Sequence, residues 1–209
     1  MSEGADRSLD RRAAIAVVVG TVAFGAALAV RERLDPWLAT AVAAAVSIGV
    51  ATWALGRARL AALVATDARG ALGAVLLGVV LVGATHAAFR LVPASLAGHV
   101  AGLYASIDVA TPRIARAALT LAVVVAEELV WRGCALALIG APRSRSAALA
   151  VALYAVPQLV GGEWLLVVAA LGLGSVLAAQ RLRSGRLVEP LITHAIWSVS
   201  IFVVLPLVG

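Results

Sequence analysis

Apolar runs long enough to cross a lipid bilayer recur along the chain, and they constrain its fold more than any other feature. A bilayer core of about 30 Å is crossed by roughly 20 apolar residues of helix, because every backbone N–H and C=O inside it must be paired within the segment. The sequence therefore predicts an all-α, polytopic transmembrane helical bundle with seven or eight spans. The clearest runs are residues 13–30, 37–55, 71–89, 114–139, 147–160, 164–180 and 187–208.

The composition excludes a water-soluble fold. Hydrophobic residues make up 63% of the 209 residues and charged residues 13%, and the mean hydropathy is +1.03. An average soluble domain is roughly half apolar and a quarter charged. No Pro/Ser-rich linker divides the chain, so we predict a single integral membrane domain over residues 1–209.

The net charge of +6 would suggest a nucleic-acid partner in a soluble protein, but here the arginines lie between the apolar runs and not in one patch. We predict no nucleic-acid partner and membrane lipids as the surroundings. Basic residues in short loops are retained on the cytoplasmic side, which predicts a cytoplasmic N-terminus and an external C-terminus. Eleven arginines are then cytoplasmic, namely Arg7, Arg11, Arg12, Arg57, Arg59, Arg69, Arg143, Arg145, Arg181, Arg183 and Arg186, and five are external, namely Arg31, Arg33, Arg90, Arg113 and Arg116.

Two parts of the topology stay open. Residues 90–112, which include Pro93 and Asp108, fit an amphipathic surface helix, a re-entrant segment or an eighth span. The first run follows a basic N-terminus and also fits a cleaved signal peptide, although it is long for one and six more runs follow it. We find no internal repeat of the kind that builds inverted-repeat transporters.

Three ionisable residues near the middle of the run 114–139 are the first candidates for function, because charges within a span are costly and usually face a cavity. Glu128 and Arg132 are four residues apart, so they lie on one helix face and predict an ion pair. Glu127 points about 100° away from that pair, which suits a general base or acid. The alternative is a buried structural charge network.

Two later runs add polar residues at the spacing of one helical turn. His194 and Ser198 could donate two hydrogen bonds to one developing oxyanion. Tyr154 and Gln158 are also four apart, and Pro157 between them removes a helix hydrogen bond. Together with the glutamates they predict one polar cavity where water meets a peptide carbonyl. A packing role stays open for His194, Ser198 and Gln158.

Residues 114–208 resemble the CPBP family of intramembrane proteases, which includes the CAAX prenyl endopeptidases and bacterial Abi-type proteins. The most specific match is the pattern Glu-Glu-x-x-x-Arg-Gly, which is met by Glu127, Glu128, Arg132 and Gly133.

The family's other two motifs are each met in part. An aromatic residue followed four later by His is met by Tyr154, but Gln158 replaces the His. A His followed four later by Asn is met by His194, but Ser198 replaces the Asn.

The resemblance implies an intramembrane endopeptidase of the inner (cytoplasmic) membrane of a bacterium, acting on a membrane-associated protein or peptide. It implies that Glu127 activates water, that Glu128 and Arg132 support it, and that His194 and Ser198 stabilise the oxyanion. Zinc is also compatible with the family. Gln158 is a poor zinc ligand, so we expect a glutamate-dependent enzyme without a metal or other cofactor.

The altered motifs leave other interpretations open. They fit a myxosortase-like member, whose substrates are exported proteins with C-terminal sorting signals. They equally fit a catalytically inactive protein of the same fold that acts as an immunity factor or scaffold. A transporter or channel is disfavoured because the polar residues gather in the last half of the chain.

Five other notable residues are assigned to packing or to the membrane interface. His86 and His99 have no polar partner at helical spacing, and Cys134 has no neighbouring base. Trp37 and Trp164 lie at the ends of apolar runs, where aromatic belts form.

Overall fold

The structure is a computed structural model that describes residues 3–31, 33–107, 111–138, 143–162 and 164–208. These residues form helices and connecting turns and contain no strand, which confirms the predicted all-α bundle. Asp108 and Ile139, which fall within predicted segments, lie outside the described residues. The elements are α1 (Glu3–Ala29), α2 (Pro36–Val64), α3 (Ala68–Phe89), α4 (Ala94–Ile107), α5 (Arg113–Glu127), the π-helix π1 (Glu128–Ala135), α6 (Leu136–Leu138), α7 (Arg143–Val160), α8 (Trp164–Ser184), α9 (Val188–Val199) and the π-helix π2 (Ser200–Val204).

Four helices are long and apolar enough to cross a membrane by length and composition alone, and they lie in α1, α2, α3 and α8. The shorter apolar helices are α7 and the pair α9 and π2. The rod formed by α5, π1 and α6 is long, but its glutamates and arginines interrupt its apolar run. The protein is therefore a multi-pass membrane protein in which the buried charged residues of the described ranges, Glu127, Glu128 and Arg132, lie in the rod formed by α5 and π1.

The described part of the segment 90–112, which contains α4, does not cross the bundle. Near the end of α3, His86 places its Nε2 3.1 Å from the backbone oxygen of Leu205, just after π2. At the start of α5, Arg113 donates from Nε to the backbone oxygen of Val203 at 2.9 Å. Both ends of the segment thus meet the same end of π2, and α4 is a connection on one face and not an eighth span.

The bundle has two faces that differ in arginine content. Where α1 begins and α2 ends, the guanidinium of Arg12 lies 5.2 Å from the ring centroid of Trp53. Asp67 lies just before α3 and Arg186 lies just before α9, and the two side chains form an ion pair at 3.0 Å. We call this the arginine-rich face, and the opposite face, where π2 ends and α5 begins, the arginine-poor face. The predicted division of eleven arginines against five assumed that residues 90–112 contain no eighth span, and the orientation stays a prediction.

Two small residues on α3 let α9 approach closely. Thr193 donates from its hydroxyl to the backbone oxygen of Ala74 at 3.0 Å, and Gly78, one turn further on, lies against Ile196. Small residues at this spacing allow helix backbones to pack closely within lipid. This seam fixes α9, and therefore His194, relative to the rest of the bundle.

Candidate active site

The two adjacent glutamates lie where the helix changes its winding. α5 ends at Glu127 and π1 begins at Glu128. A π-helix closes i→i+5 hydrogen bonds, so each residue turns through a smaller angle than in an α-helix and neighbouring side chains diverge less. Both side chains are enclosed by the bundle, with exposed fractions of 7% for Glu127 and 0% for Glu128.

Glu128 is held by two basic groups from two helices. Its Oε1 lies 3.2 Å from the NH1 atom of Arg132, the partner expected from the sequence. The same oxygen lies 2.8 Å from Nδ1 of His194 on α9. A carboxylate can only accept, so Nδ1 bears the hydrogen and the imidazole orientation is fixed.

Glu127 has a different pair of neighbours. The hydroxyl of Tyr154 on α7 donates to its Oε2 at 2.9 Å. Nε2 of His194 lies 3.6 Å from the same oxygen, beyond ordinary hydrogen-bond length. Within the described part of the chain Oε1 has no hydrogen bond, so this oxygen is available to a water molecule.

Charges in the cluster can balance. Glu127 and Glu128 supply two negative charges, and Arg132 supplies one positive charge. If His194 is protonated, the cluster is neutral, which lowers the cost of burying it. In that state Glu127 can accept a proton and Nε2 of His194 can donate a hydrogen bond.

Aromatic packing fixes Tyr154. Its ring centroid lies 5.0 Å from that of Trp131, and the guanidinium of Arg132 lies 4.4 Å from the ring centroid. The Tyr154 ring therefore packs between π1 and α8, where the absence of a side chain at Gly174 leaves room for it. The position of its hydroxyl follows from this packing.

The candidate residues surround one cavity of about 200 Å³. Glu127, Tyr154 and His194 line it together with Gln158 and Ser198. The Oε1 atom of Gln158 is buried without a hydrogen-bond partner, and the Ser198 hydroxyl makes no hydrogen bond in the described part of the chain. The structure thus brings together the five predicted cavity residues, and Glu128 and Arg132 lie behind them. Their catalytic roles stay predictions.

Sequence reasoning missed several residues of this cavity. Thr120 lines it from α5, two turns before Glu127, and this spacing of seven residues was a usable signal. Phe24, Leu103 and Phe202 also line the cavity. No spacing in the sequence indicated these residues, because they come from helices distant in sequence.

The residues assigned to packing lie outside the polar cluster. The two ring nitrogens of His86 lie 3.0 Å and 3.1 Å from the backbone oxygens of Val82 and Leu205, and the ring centroid of His99 lies 6.3 Å from that of Trp164. Cys134 is fully buried. Trp37 is an exception, since it lines the mouth of the cavity.

The cavity reaches the arginine-poor face. The residues at its mouth lie at the helix ends on that face, Leu28 near the end of α1, Pro36 at the start of α2 and Leu166 near the start of α8. On the other side Gly133 lies against Leu55 and Leu187, which are at most 4% exposed. Packed apolar side chains thus separate the cluster from the arginine-rich face.

A second, apolar groove of about 530 Å³ adjoins the cavity. It runs between α3, α4, α8 and π2, and it shares six lining residues with the cavity, namely Leu103, Leu166, Ala169, Leu173, Trp197 and Phe202. An apolar molecule in the groove would therefore reach the polar cluster without crossing water.

The residues present do not fit a zinc ion. Catalytic zinc needs three protein ligands, but Glu128 is held by Arg132 and Gln158 is a poor donor, which leaves Glu127 and His194. No group of three or more His, Cys, Asp or Glu side chains in the described ranges is arranged to hold a metal. We therefore derive no step through a metal.

Comparison with known proteins gives one finding. Residues 110–200 match the family model described as type II CAAX prenyl endopeptidase Rce1-like, a range that includes all seven predicted site residues. The match confirms the resemblance to the CPBP and CAAX proteases over this range. No curated protein and no solved structure gives a significant match to the chain.

Proposed function

We propose that the protein is an intramembrane endopeptidase that hydrolyses a peptide bond of a membrane-associated protein, and the match of residues 110–200 to the type II CAAX prenyl endopeptidase Rce1-like family model supports this proposal. One observation supports this most directly. The Glu127 carboxylate is fixed by Tyr154 beside His194, with one oxygen left for water.

The proposed reaction uses Glu127 first as a base and then as an acid. Glu127 accepts a proton from water in the cavity, and the hydroxide adds to the carbonyl carbon of the substrate. Ser198 and Nε2 of protonated His194 donate hydrogen bonds to the resulting oxyanion. Glu127 then gives its proton to the amide nitrogen, the C–N bond breaks, and a carboxylic acid and an amine are released.

Glu128 and Arg132 act through His194. Glu128 holds the imidazole ring through Nδ1 of His194, and Arg132 pairs with the same carboxylate oxygen of Glu128. Gln158, whose Oε1 is buried without a partner at the cavity wall, is placed to accept a hydrogen bond from the substrate backbone or from water. A glutamine cannot take a proton, so its role is to orient.

The substrate is proposed to reach the cavity from within the membrane. The apolar groove next to the cavity accommodates a lipid chain or an apolar peptide segment, and the polar cluster lies where that segment would end. The partners in this proposal are membrane lipids and a membrane-associated protein or peptide.

We further propose that the protein resides in the inner membrane of a bacterium with its N-terminus in the cytoplasm. The excess of arginine on one face supports this orientation. The cavity then opens toward the outside of the cell, as a substrate with an exported C-terminal sorting signal would require. This supports the myxosortase-like subgroup among the alternatives.

Cleavage of a defined peptide tests the proposal. The purified chain is reconstituted in liposomes with an internally quenched, farnesylated peptide ending in Cys-aliphatic-aliphatic-X, the motif in the family description. We expect cleavage by the wild-type protein and a loss of about 10²- to 10⁴-fold in Glu127→Gln, because general-base assistance is lost with little change of shape.

The matched control is Glu189→Gln. Glu189 lies in the first turn of α9 on the arginine-rich face, 4.0 Å from Arg186, so this variant should keep the wild-type rate. Equal rates for wild type and Glu127→Gln would contradict glutamate catalysis. A folded wild-type protein that cleaves neither this peptide nor an exported peptide with a C-terminal sorting signal would favour the non-catalytic immunity or scaffold role.

A further inference from the structure

One face of α5 connects the catalytic cavity to a second polar cavity. Thr120, Val124 and Glu127 line the catalytic cavity. Arg113 and Arg116 precede them on the same helix, and successive spacings of three or four residues place all five on one side of α5. This helix therefore carries a continuous face from Glu127 back to its first turn.

The two arginines line a cavity of their own, which we call the Arg113 cavity. It has a volume of about 360 Å³, and Tyr104 and Phe202 also line it. Phe202 lines the catalytic cavity as well, and its ring centroid lies 6.3 Å from that of Tyr104. A peptide that leaves the catalytic cavity along α5 therefore passes Phe202 and enters the Arg113 cavity.

Arg113 is held in a fixed position at this cavity. Its Nε donates to the backbone oxygen of Val203 and its NH2 to that of Val204, both at 2.9 Å. Arg113 forms no ion pair among the residues that the structure describes. A guanidinium has five N–H donors, so Arg113 keeps donors for a ligand. In a peptide ligand the matching anionic group is a carboxylate, which guanidinium groups bind with charged hydrogen bonds.

The helix sets the distance between this cavity and the catalytic residue. Arg116 and Arg113 precede Glu127 by 11 and 14 residues, which is about 16 and 21 Å along a helix that rises 1.5 Å per residue. We propose that Arg113 and Arg116 select substrates with a carboxylate about five or six residues from the cleaved bond, since an extended peptide rises about 3.3 Å per residue. An acidic side chain and the C-terminal carboxylate of the substrate both offer this group.

This inference rests on the proposed protease function, but the binding step is measured without cleavage. The full-length Glu127→Gln chain in phosphatidylcholine nanodiscs is titrated against labelled apolar peptides of alanine and leucine, and fluorescence anisotropy gives the affinity. One peptide carries an Asp and its twin an Asn, both with an amidated C-terminus. A third carries the Asn and a free C-terminal carboxylate, so that the two sources of the carboxylate are distinguished. We expect about tenfold tighter binding of a carboxylate peptide than of the neutral twin, because a charged hydrogen bond is gained.

Substitutions of the two arginines test the site. Arg116→Gln and Arg113→Gln should each reduce the preference for the carboxylate peptide, whereas Arg116→Lys should keep most of it because the charge is retained. The Arg116 variants keep the test valid if Arg113→Gln unfolds, since Arg113 also holds the backbone at Val203 and Val204. Arg90→Gln is the matched control, because Arg90 is exposed on the arginine-poor face and lines neither cavity.

The wild-type chain tests the distance. Mass spectrometry of the products locates the cleaved bond in the Asp peptide, which we expect about five or six residues from the Asp. Moving the Asp along the peptide should move the cleaved bond by the same number of residues, which a merely structural role of the arginines would not cause.

Three results would overturn the proposal. Equal binding of the carboxylate and neutral peptides would remove the site, and cleavage by the wild-type chain would then leave the protease function intact. A loss of preference in Arg90→Gln as large as in Arg116→Gln would show diffuse attraction. A cleaved bond that does not follow the Asp would contradict the spacing. Preferential binding without any cleavage would support the carboxylate site and count against the protease function.

Discussion

His194 determines the chemistry of the site at the scale of single residues. Its Nδ1 donates to Glu128, so only Nε2 faces the Glu127 oxygen and the cavity. A neutral imidazole in this orientation would present a lone pair to the cavity, whereas the imidazolium presents a hydrogen. The oxyanion role therefore requires the charged form.

The Tyr154→Phe variant tests how Glu127 is oriented. It removes one hydroxyl and keeps the ring contacts with Trp131 and Arg132. A hydrogen bond to a charged group contributes about 1.5–3 kcal/mol, so we expect the cleavage rate to fall about tenfold or more while the melting temperature changes little. The liposome assay and a thermal unfolding curve measure the two effects. A wild-type rate in Tyr154→Phe would show that the hydroxyl does not position Glu127.

The motif residues could be predicted from the sequence, but their partners could not. The pairing of Glu128 with Arg132 follows from a spacing of four. The contact between Glu128 and His194 joins residues on different helices, and no local spacing encodes it. The hydroxyl contact of Tyr154 with Glu127 was missed for the same reason.

At the scale of elements, the seam between α3 and α9 sets the position of the histidine. A Cβ added at Gly78 would lie 2.9 Å from Cβ of Ile196 and 3.2 Å from the backbone oxygen of Thr193. The backbone cannot yield as a flexible side chain would, so α9 would have to shift together with His194.

The Gly78→Ala variant tests this seam. We expect a loss of about 1–3 kcal/mol of stability from overpacking and a reduced cleavage rate. Gly73→Ala on the same helix is the control, since its added Cβ would have no atom within 4 Å and alanine favours helix. Thermal unfolding in detergent measures both variants. Equal melting temperatures for Gly78→Ala and Gly73→Ala would mean that α9 is not held by this contact.

The existence of the helices could be read from the apolar runs, but their irregularities could not. The break of α2 at Gly56 and the π winding from Glu128 interrupt the regular helical period that the apolar runs predict. Residues 90–112 were ambiguous because a 14-residue helix fits several placements, and the contacts of His86 and Arg113 with the chain around π2 decide among them.

At the scale of the whole molecule, the mouth of the cavity lies on the face opposite the arginine-rich face. The mouth beside Leu28 and Pro36 is on the arginine-poor face, and Leu55 and Leu187 close the other side. The proposed orientation therefore decides which compartment supplies the water and the substrate.

Single cysteines introduced at the two faces test the orientation. Leu34 is 60% exposed on the arginine-poor face, and Thr66 is exposed on the arginine-rich face. We expect an impermeant maleimide to label Leu34→Cys in intact cells and Thr66→Cys only after lysis. The native Cys134 is fully buried, so the unmodified protein serves as the unlabelled control. The opposite pattern would reverse the proposed orientation and place the cavity toward the cytoplasm.

Comparison of protein termini in membranes tests the central claim, hydrolysis at Glu127, without assuming a substrate. Cells that produce the wild-type chain and cells that produce Glu127→Gln at equal levels are compared by mass spectrometry of new C-termini. We predict termini on membrane-associated proteins that are present with wild type and absent with Glu127→Gln. Identical sets of termini in the two cell types would contradict an endopeptidase centred on Glu127.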